Sequence, residues 1–348
     1  DRRYGGFGGA PKFPRPSTYG FLLRYHARTH QQPALEMTLR TLRNMARGGI
    51  HDQLGGGFHR YSVDSAWQVP HFEKMLYDQA QLICSYLEAY QVSRDMFFAD
   101  VARDAADYVL RDLTAEDGGF CSAEDADSIR PHHGGTSVEG AFYVWTHQEL
   151  ERLLGNELAE IFSFHYGVRP SGNVSRDPLN TFAGQNILAE RHTIEETGAY
   201  FIRPPYEIAR RLAEARHILW NSRRARPHPP LDDKKLTAWN GLMIAALCRA
   251  GVLLGREDYL KAADRCVAFL SRMVLTRDGQ LLARCRDGEA GIDGTLEDYA
   301  FFAWGLIEHC RARLVPESLL AAKRLAEKMH ALFQDADGGY FMTASQSL

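Results

Sequence analysis

The chain has 348 residues, 45% of them hydrophobic, with 41 basic and 44 acidic side chains and a formal net charge of −3. That supplies apolar material for one large core or two ordinary ones, and it leaves no basic surface of the kind nucleic-acid binding needs. No apolar run reads as a membrane span, and six scattered cysteines without a CxxC give neither a zinc nor a disulfide framework. Buried reduced thiols and a cytoplasmic location are therefore expected, with no nucleic-acid and no membrane partner.

Residues 5–16, GGFGGAPKFPRP, lead into a helix expected from about Ser17 to Thr29, followed by a second from about Ala34 to Arg47. Then comes GGIHDQLGGGFHRYSVDSAWQVPHFEKMLYDQ, residues 48–79, around which the chain is organised. Gly48, Gly49, Gly55, Gly56 and Gly57 imply positive φ or close backbone approach. The loop carries Asp52, His59, Arg60, Asp64, Trp67 and His71 toward one place. Pro70 suits a helix start, and Phe72, Met75, Leu76, Ala80, Ile83 and Leu87 share a helical face, so a helix is predicted from His71 to about Gln91. On it His71, Lys74 and Asp78 form a polar stripe.

The next helix, about Asp95 to Leu113, ends in DGGFCSAEDADS, residues 117–128. There Glu124, Asp125 and Asp127 lie close enough to raise one another's pKa, as a general acid requires. Ala141–Trp145 reads as a strand, and Thr146 with Glu149 as a capping box before a short helix. His132 and His133 read as exposed loop residues. Residues 168–203 are irregular, with one short helix after Thr193. A helix from about Pro205 to Asn221 precedes RARPHPPLDDKK, residues 224–235. Asp232 and Asp233 there open a helix with Trp239 and Asn240 in its first turns. Another helix spans about Glu257 to Val274, and DGQLLARCRDG, residues 278–288, reads as a two-stranded turn. Thr295 and Asp298 cap the following helix, which makes Asp298 a cap rather than a catalyst. The last helix, about Glu317 to Phe333, ends in DADGGYFM.

The turns DGGF, DGQL and DGGY recur after alternate helices, the mark of repeated helical hairpins. Short connections make neighbouring helices antiparallel, so alternate helices point their amino ends the same way. The predicted fold is all-α: an (α/α)6 toroid of helical hairpins, incomplete, with short β-hairpins in the rim loops. A single domain over residues 1–348 is expected, cut short at both ends. Converging helix N-termini suit a small hydroxyl-rich ligand in the rim funnel, with Trp67, Trp145, Trp239, Phe120 and Tyr143 as stacking faces.

Several motifs fail. Gly6-Phe7-Gly8-Gly9-Ala10-Pro11 lacks the third glycine of a dinucleotide fingerprint, and no phosphate loop occurs. His71-Phe72-Glu73 lacks the PCxxC half of a zinc deaminase, and HExxH and GxSxG are absent.

GGFGGAPKFP, GGGFHRYSVDSAWQVPHFEKMLYDQAQL, GGFCSAEDADS with EGAFYVWT, and DDKKLTAWNGLMIAAL occur in that order. Together they resemble the thioredoxin-domain-containing proteins that include the spermatogenesis-associated homologues and their bacterial relatives. The resemblance implies a thioredoxin-like domain elsewhere in the same chain as a partner, and a barrel similar to six-hairpin glycosidases and N-acylglucosamine epimerases.

The candidate catalytic residues are Asp64, His71, Asp125, Asp127 and Asp233. The candidate substrate contacts are Asp52, His59, Arg60, Trp67, Glu124, Asp232, Trp239 and Asn240. A metal at Asp52, His59 and His71 is the weaker reading, and no metal or cofactor is predicted. Two functions follow. One is a carbohydrate-active module, hydrolysing glycosides across opposed carboxylates or epimerising N-acyl sugars through histidine. The alternative is a non-catalytic binding or scaffold module of a thioredoxin-like redox protein. Opposing carboxylates open to a funnel favour the first; carboxylates tied up by arginines and backbone N–H groups favour the second.

Overall fold

A computed structural model describes residues 1–130, 135–174 and 181–344; His132 and His133 lie outside the described residues. Its α-helices, in chain order, are α1 (Pro16–Thr29), α2 (Gln32–Arg47), α3 (Leu76–Ser93), α4 (Met96–Tyr108), α5 (His147–Leu154) and α6 (Asn156–Tyr166). They continue with α7 (Ile194–Phe201), α8 (Pro205–Arg223), α9 (Thr237–Leu254), α10 (Glu257–Met273), α11 (Leu296–Arg313) and α12 (Pro316–Phe333). The chain falls into two compact units. The first is built from Asp1–Arg15, Arg28–Lys74 and Asp125–Pro230, the second from Pro16–Ala27, Met75–Glu124 and Leu231–Leu348.

The second unit is made of helical hairpins. α3 packs on α4, α9 on α10 and α11 on α12, while α9 also packs between α3 and α11. The contacts fix direction. The Ala238 amide donates to Asp298 Oδ1 at 2.9 Å, Gly241 lies against Phe301 and Phe302, and Ile244 lies against Gly305. Residue numbers rise together along both helices, so α9 and α11 run parallel. Tyr77 meets Trp239 at 4.8 Å and Glu88 meets Arg249 at 3.0 Å, so α3 runs parallel to α9 as well. Within this unit the alternate helices therefore point their amino ends one way, as the repeat requires. A Cβ added at Gly241 would stand 2.6 Å from the Phe301 carbonyl carbon, so glycine sets how closely the two helices approach.

The three repeated turns share one hydrogen-bond pattern. Ala115 N–Gly119 O (2.9 Å), Thr276 N–Gln280 O (2.9 Å) and Asp335 N–Gly339 O (3.1 Å) close them. Bridges Thr114–Phe120, Leu275–Leu281 and Gln334–Tyr340 flank them. The hairpin itself lies later than the sequence reading placed it. Leu282–Arg286 pairs with Glu289–Asp293 around Asp287 and Gly288, both at positive φ, which is the Asp-Gly hairpin turn. By length and composition α9 is apolar enough to cross a membrane, against the reading that no run reaches that mark. It is apolar all round because α3, α10 and α11 cover it.

The first unit holds α2, α5–α8 and the organising loop. α5, α6, α7 and α8 pack together over Trp145, Leu158, Ile161, Phe162, Ile208 and Leu212. Here the expected elements shift. Ala141–Trp145 is a turn rather than a strand, with Trp145 bridging Asn186, and α6 was not anticipated. The helix expected at His71 begins at Leu76 instead, because Pro70–His71 pairs antiparallel with Tyr61–Ser62. The chain stays extended through Met75, so the stripe His71–Lys74–Asp78 does not exist. All six cysteines are free, and five are buried.

Candidate functional site

The organising loop has a sealed floor. Asp52, 6% exposed, receives Arg223 Nη1 and Nη2 at 2.7 and 2.8 Å, Lys74 Nζ at 3.0 Å, and the amides of Leu54 and Gly55 at 3.1 and 3.0 Å. Burial alone would raise its carboxyl, but Arg223 and Lys74 outweigh that and hold it well below the usual carboxylate range. His59 is buried beside it. Its Nδ1–H donates to the Phe72 carbonyl at 2.8 Å, and its ring meets Phe72 and Tyr143 edge-on. Burial first, then Lys74, pushes the His59 pKa well down, so the ring is neutral. Only about 20 Å³ of cavity remains here, room for a single water. Asp52 and His59, expected to meet substrate, therefore face the interior of the unit.

Trp67 and Asp64 are committed as well. Trp67 is wholly buried, donates from Nε1 to the Tyr4 carbonyl at 2.9 Å and carries Lys12 over its ring, so it offers no face to a ligand. Asp64 accepts from the amides of Ala66 (2.6 Å), Gln68 (3.2 Å) and Val69 (2.6 Å), which folds the turn back on itself. Among the other aromatics expected at the rim, Trp145, Phe120 and Tyr143 are buried and Trp239 is half-buried.

The open part of this unit gathers around His71. Its Nδ1–H donates to Glu139 Oε1 at 2.7 Å, and its Nε2 lies 3.6 Å from Glu73 Oε2, which Arg60 Nη1 holds at 2.8 Å. The pairing of Asp127–Ile129 with Ser137–Glu139 places Asp127 opposite Glu139. The hydrogen bond to Glu139 is the largest influence on His71 and raises its pKa; the same bond lowers that of Glu139. Burial, then Asp125 and Glu139, raise Asp127. Asp125 is exposed and accepts from the Asp127 amide at 3.1 Å. Tyr61 stacks on His71 at 5.0 Å, and Phe13, 41% exposed, stacks on Tyr61 at 4.6 Å. The result is a three-ring stack edged by carboxylates, with one imidazole fixed at Nδ1.

Glu139 and Glu73 were not among the candidates. The available signal was alternation: His71 and Glu73 are half-exposed while Phe72 and Lys74 are buried, a period of two. Glu139 is 68 positions from His71 in sequence, and only the fold joins them.

In the second unit Asn240 is fully buried. It accepts from the Phe120 amide at 2.8 Å and donates to the Phe120 and Leu236 carbonyls at 3.1 and 3.0 Å. Both faces of its amide are thus spent on backbone. Glu124 is buried and accepts from Tyr108 Oη at 3.3 Å. Asp232 pairs with Lys234 at 3.0 Å, Asp233 with Arg286 at 2.9 Å, and Trp239 meets Tyr77 edge-on. Among the described residues no three His, Cys, Asp or Glu side chains group as a metal site.

Two solved structures share the fold. One is a family 76 glycoside hydrolase, a mannosidase from Bacteroides thetaiotaomicron, at a TM-score of 0.51 and 11% identity over 95% of this chain and 62% of its own. The other is an inactive variant of an α-1,6-mannanase from Salegentibacter bound to α-1,6-mannotetrose, at a TM-score of 0.51 and 11% identity over 94% of this chain and 67% of its own. The fold class is thus the (α/α)6 helical-hairpin class. In sequence the chain is similar to human spermatogenesis-associated protein 20, 41% identical over 99% of this chain and 47% of the relative. The chain spans about half the length of the curated relatives it matches. No family model matches it.

Proposed function

We propose that the chain is a carbohydrate-active module whose chemistry lies in the first unit, on the Phe13–Tyr61–His71 stack. The single observation that carries this is His71 Nδ1 held by Glu139 at 2.7 Å beside an exposed aromatic stack. Aromatic faces accept the apolar face of a sugar, and an imidazole whose Nδ1 is held by a carboxylate keeps Nε2 for proton transfer. In this reading His71 moves a proton through Nε2, and Asp127, whose pKa is raised by burial and by Asp125 and Glu139, is the carboxyl that serves as the acid. Asp125 supports that protonated state. The fold is shared with a mannosidase and a mannanase, which suits a glycoside or an N-acyl sugar as ligand.

A second reading has its own support. Asp52 and Asp64, two of the carboxylates that hydrolysis would have used, are saturated by Arg223, Lys74 and backbone amides. This favours a module that binds and does not turn over, serving the remainder of a longer redox protein. A panel of glycosides and N-acyl sugars, assayed for turnover and for binding with wild type, His71→Asn and Asp127→Asn, separates the two. Turnover lost at least 100-fold in His71→Asn supports proton transfer at His71. Binding without turnover supports the second reading, and turnover unchanged in both variants overturns the assignment.

A further inference from the structure

The two ring nitrogens of His71 meet different carboxylates at different ranges. Nδ1 donates to Glu139 Oε1 at 2.7 Å, and the Phe72 amide, at 3.3 Å from the same oxygen, helps hold it there. Nε2 lies 3.6 Å from Glu73 Oε2, which is outside hydrogen-bond range. That oxygen has another partner: Arg60 Nη1 donates to it at 2.8 Å. The backbone anchors the arrangement. The Arg60 amide donates to the Glu73 carbonyl at 2.8 Å, and Tyr61 pairs with His71 in the adjoining ribbon. Arg60 and Glu73 are therefore joined twice, once through the main chain and once through their side chains.

A different arrangement lies close by. A shift of less than about 1 Å would bring Glu73 Oε2 within hydrogen-bond range of Nε2. His71 would then stand between two carboxylates, one on each nitrogen. Such bracketing favours the imidazolium, whose two N–H groups are both donors, and leaves no nitrogen to accept a proton. The charged groups that face the ring are Glu139, Glu73, Arg60 and, from the strand opposite Glu139, Asp127. Arg60 is the cation among these four. The Glu139 hydrogen bond, and after it the charges of Glu139 and Glu73, raise the His71 pKa, whereas Arg60 lowers it.

We propose that Arg60 is a positioning residue: by holding Glu73 Oε2 it keeps that carboxylate off His71 and leaves Nε2 free to exchange a proton with a ligand hydroxyl. Arg60, expected from sequence to meet substrate, thus acts through Glu73. The inference rests on the reading of His71 as the proton carrier.

Nitrogen-15 magnetic resonance of the full chain, labelled in its histidines and titrated over pH without any sugar, tests it. Wild type is expected to show a neutral His71 protonated at Nδ1, with Nε2 bare. Arg60→Met is expected to raise the His71 midpoint by about half a pH unit or more, as Glu73 closes on Nε2. Placed on Glu73→Gln, the same substitution is expected to move the midpoint less than about half as far, because a neutral amide gives the imidazolium no ion pair. A smaller rise or a fall in Arg60→Met, an equal rise in both backgrounds, or a wild-type neutral ring protonated at Nε2 overturns the proposal. The wild-type tautomer decides the matter even if a variant does not fold. Because the titration contains no sugar, its failure and the failure of the turnover assignment are separate results.

Discussion

Replacing Asp52 by Asn is the sharpest test of the loop's architecture, because it separates a buried strut from a ligand contact. Asn keeps the shape and the two amide hydrogen bonds from Leu54 and Gly55, but it removes the charge facing Arg223 and Lys74. Arg223 and Lys74 are 3% and 1% exposed in their side chains, so neither can turn to water. Removing one partner of such a buried set costs about 3–5 kcal/mol, since two cations are left uncompensated. That is roughly a 10²–10⁴-fold change in the unfolding constant. For a folding body of 150–250 residues it lowers Tm by about 6–20 °C. Denaturant unfolding followed by far-UV circular dichroism reads the first quantity, and calorimetry the second. A companion variant, Asp52→Leu with Arg223→Met and Lys74→Met, replaces the set by apolar bulk and is expected to recover part of the loss. An Asn variant within about 1 kcal/mol of wild type would refute the reasoning. It would mean that Arg223 and Lys74 find other anions or solvent.

Two further outcomes follow from packing and charge. Gly241→Ala puts a methyl group 2.6 Å from the Phe301 and Phe302 backbone, so α9 and α11 must separate; a loss of about 1–3 kcal/mol is expected in urea unfolding, and an unchanged midpoint would contradict the close approach. The His71–Glu139 pair sets a pH window. His71 is raised in the folded state, so its contribution is complete below its ordinary value of 6.5 and fades as pH rises through the folded value. Glu139 is lowered, so its contribution is complete above its ordinary value of 4.5 and fades as pH falls through the folded value. The stability difference between wild type and Glu139→Gln is therefore greatest between those two values and shrinks on either side. A difference that is flat from pH 4 to 9 would show that the pair does not form.

The repeat was legible because its signals are local. Asp-Gly turns and apolar faces of 3.6 period identify α3, α9, α11 and their partners without knowledge of the fold, and Thr295 with Asp298 marks one helix start as a full capping box. The direction of the helices followed from loop length alone. The site was less legible, because its chemistry depends on burial and on distant pairing. Asp52, His59 and Trp67 have the residue types of a binding site, and nothing local shows that Arg223, 171 positions from Asp52, will pair with it or that Lys12 will lie over Trp67. Asp64 looks free in sequence, yet its short side chain reaches the amides two, four and five residues on. Residues 71–75 carry both a helical and an alternating pattern. The strand pairing of Tyr61 with His71 decides between them, and it also brings Tyr61 onto the imidazole.

The most direct measurement is a nuclear magnetic resonance titration of the full chain, labelled in its histidine and tyrosine rings, with mannosides, glucosides and N-acyl hexosamines. The account predicts that at least one sugar moves the His71 and Tyr61 ring signals saturably, and that Glu139→Gln changes the pH at which the His71 signal titrates. Sugar binding or turnover that leaves both rings unmoved, or a panel in which no member touches them, would contradict it.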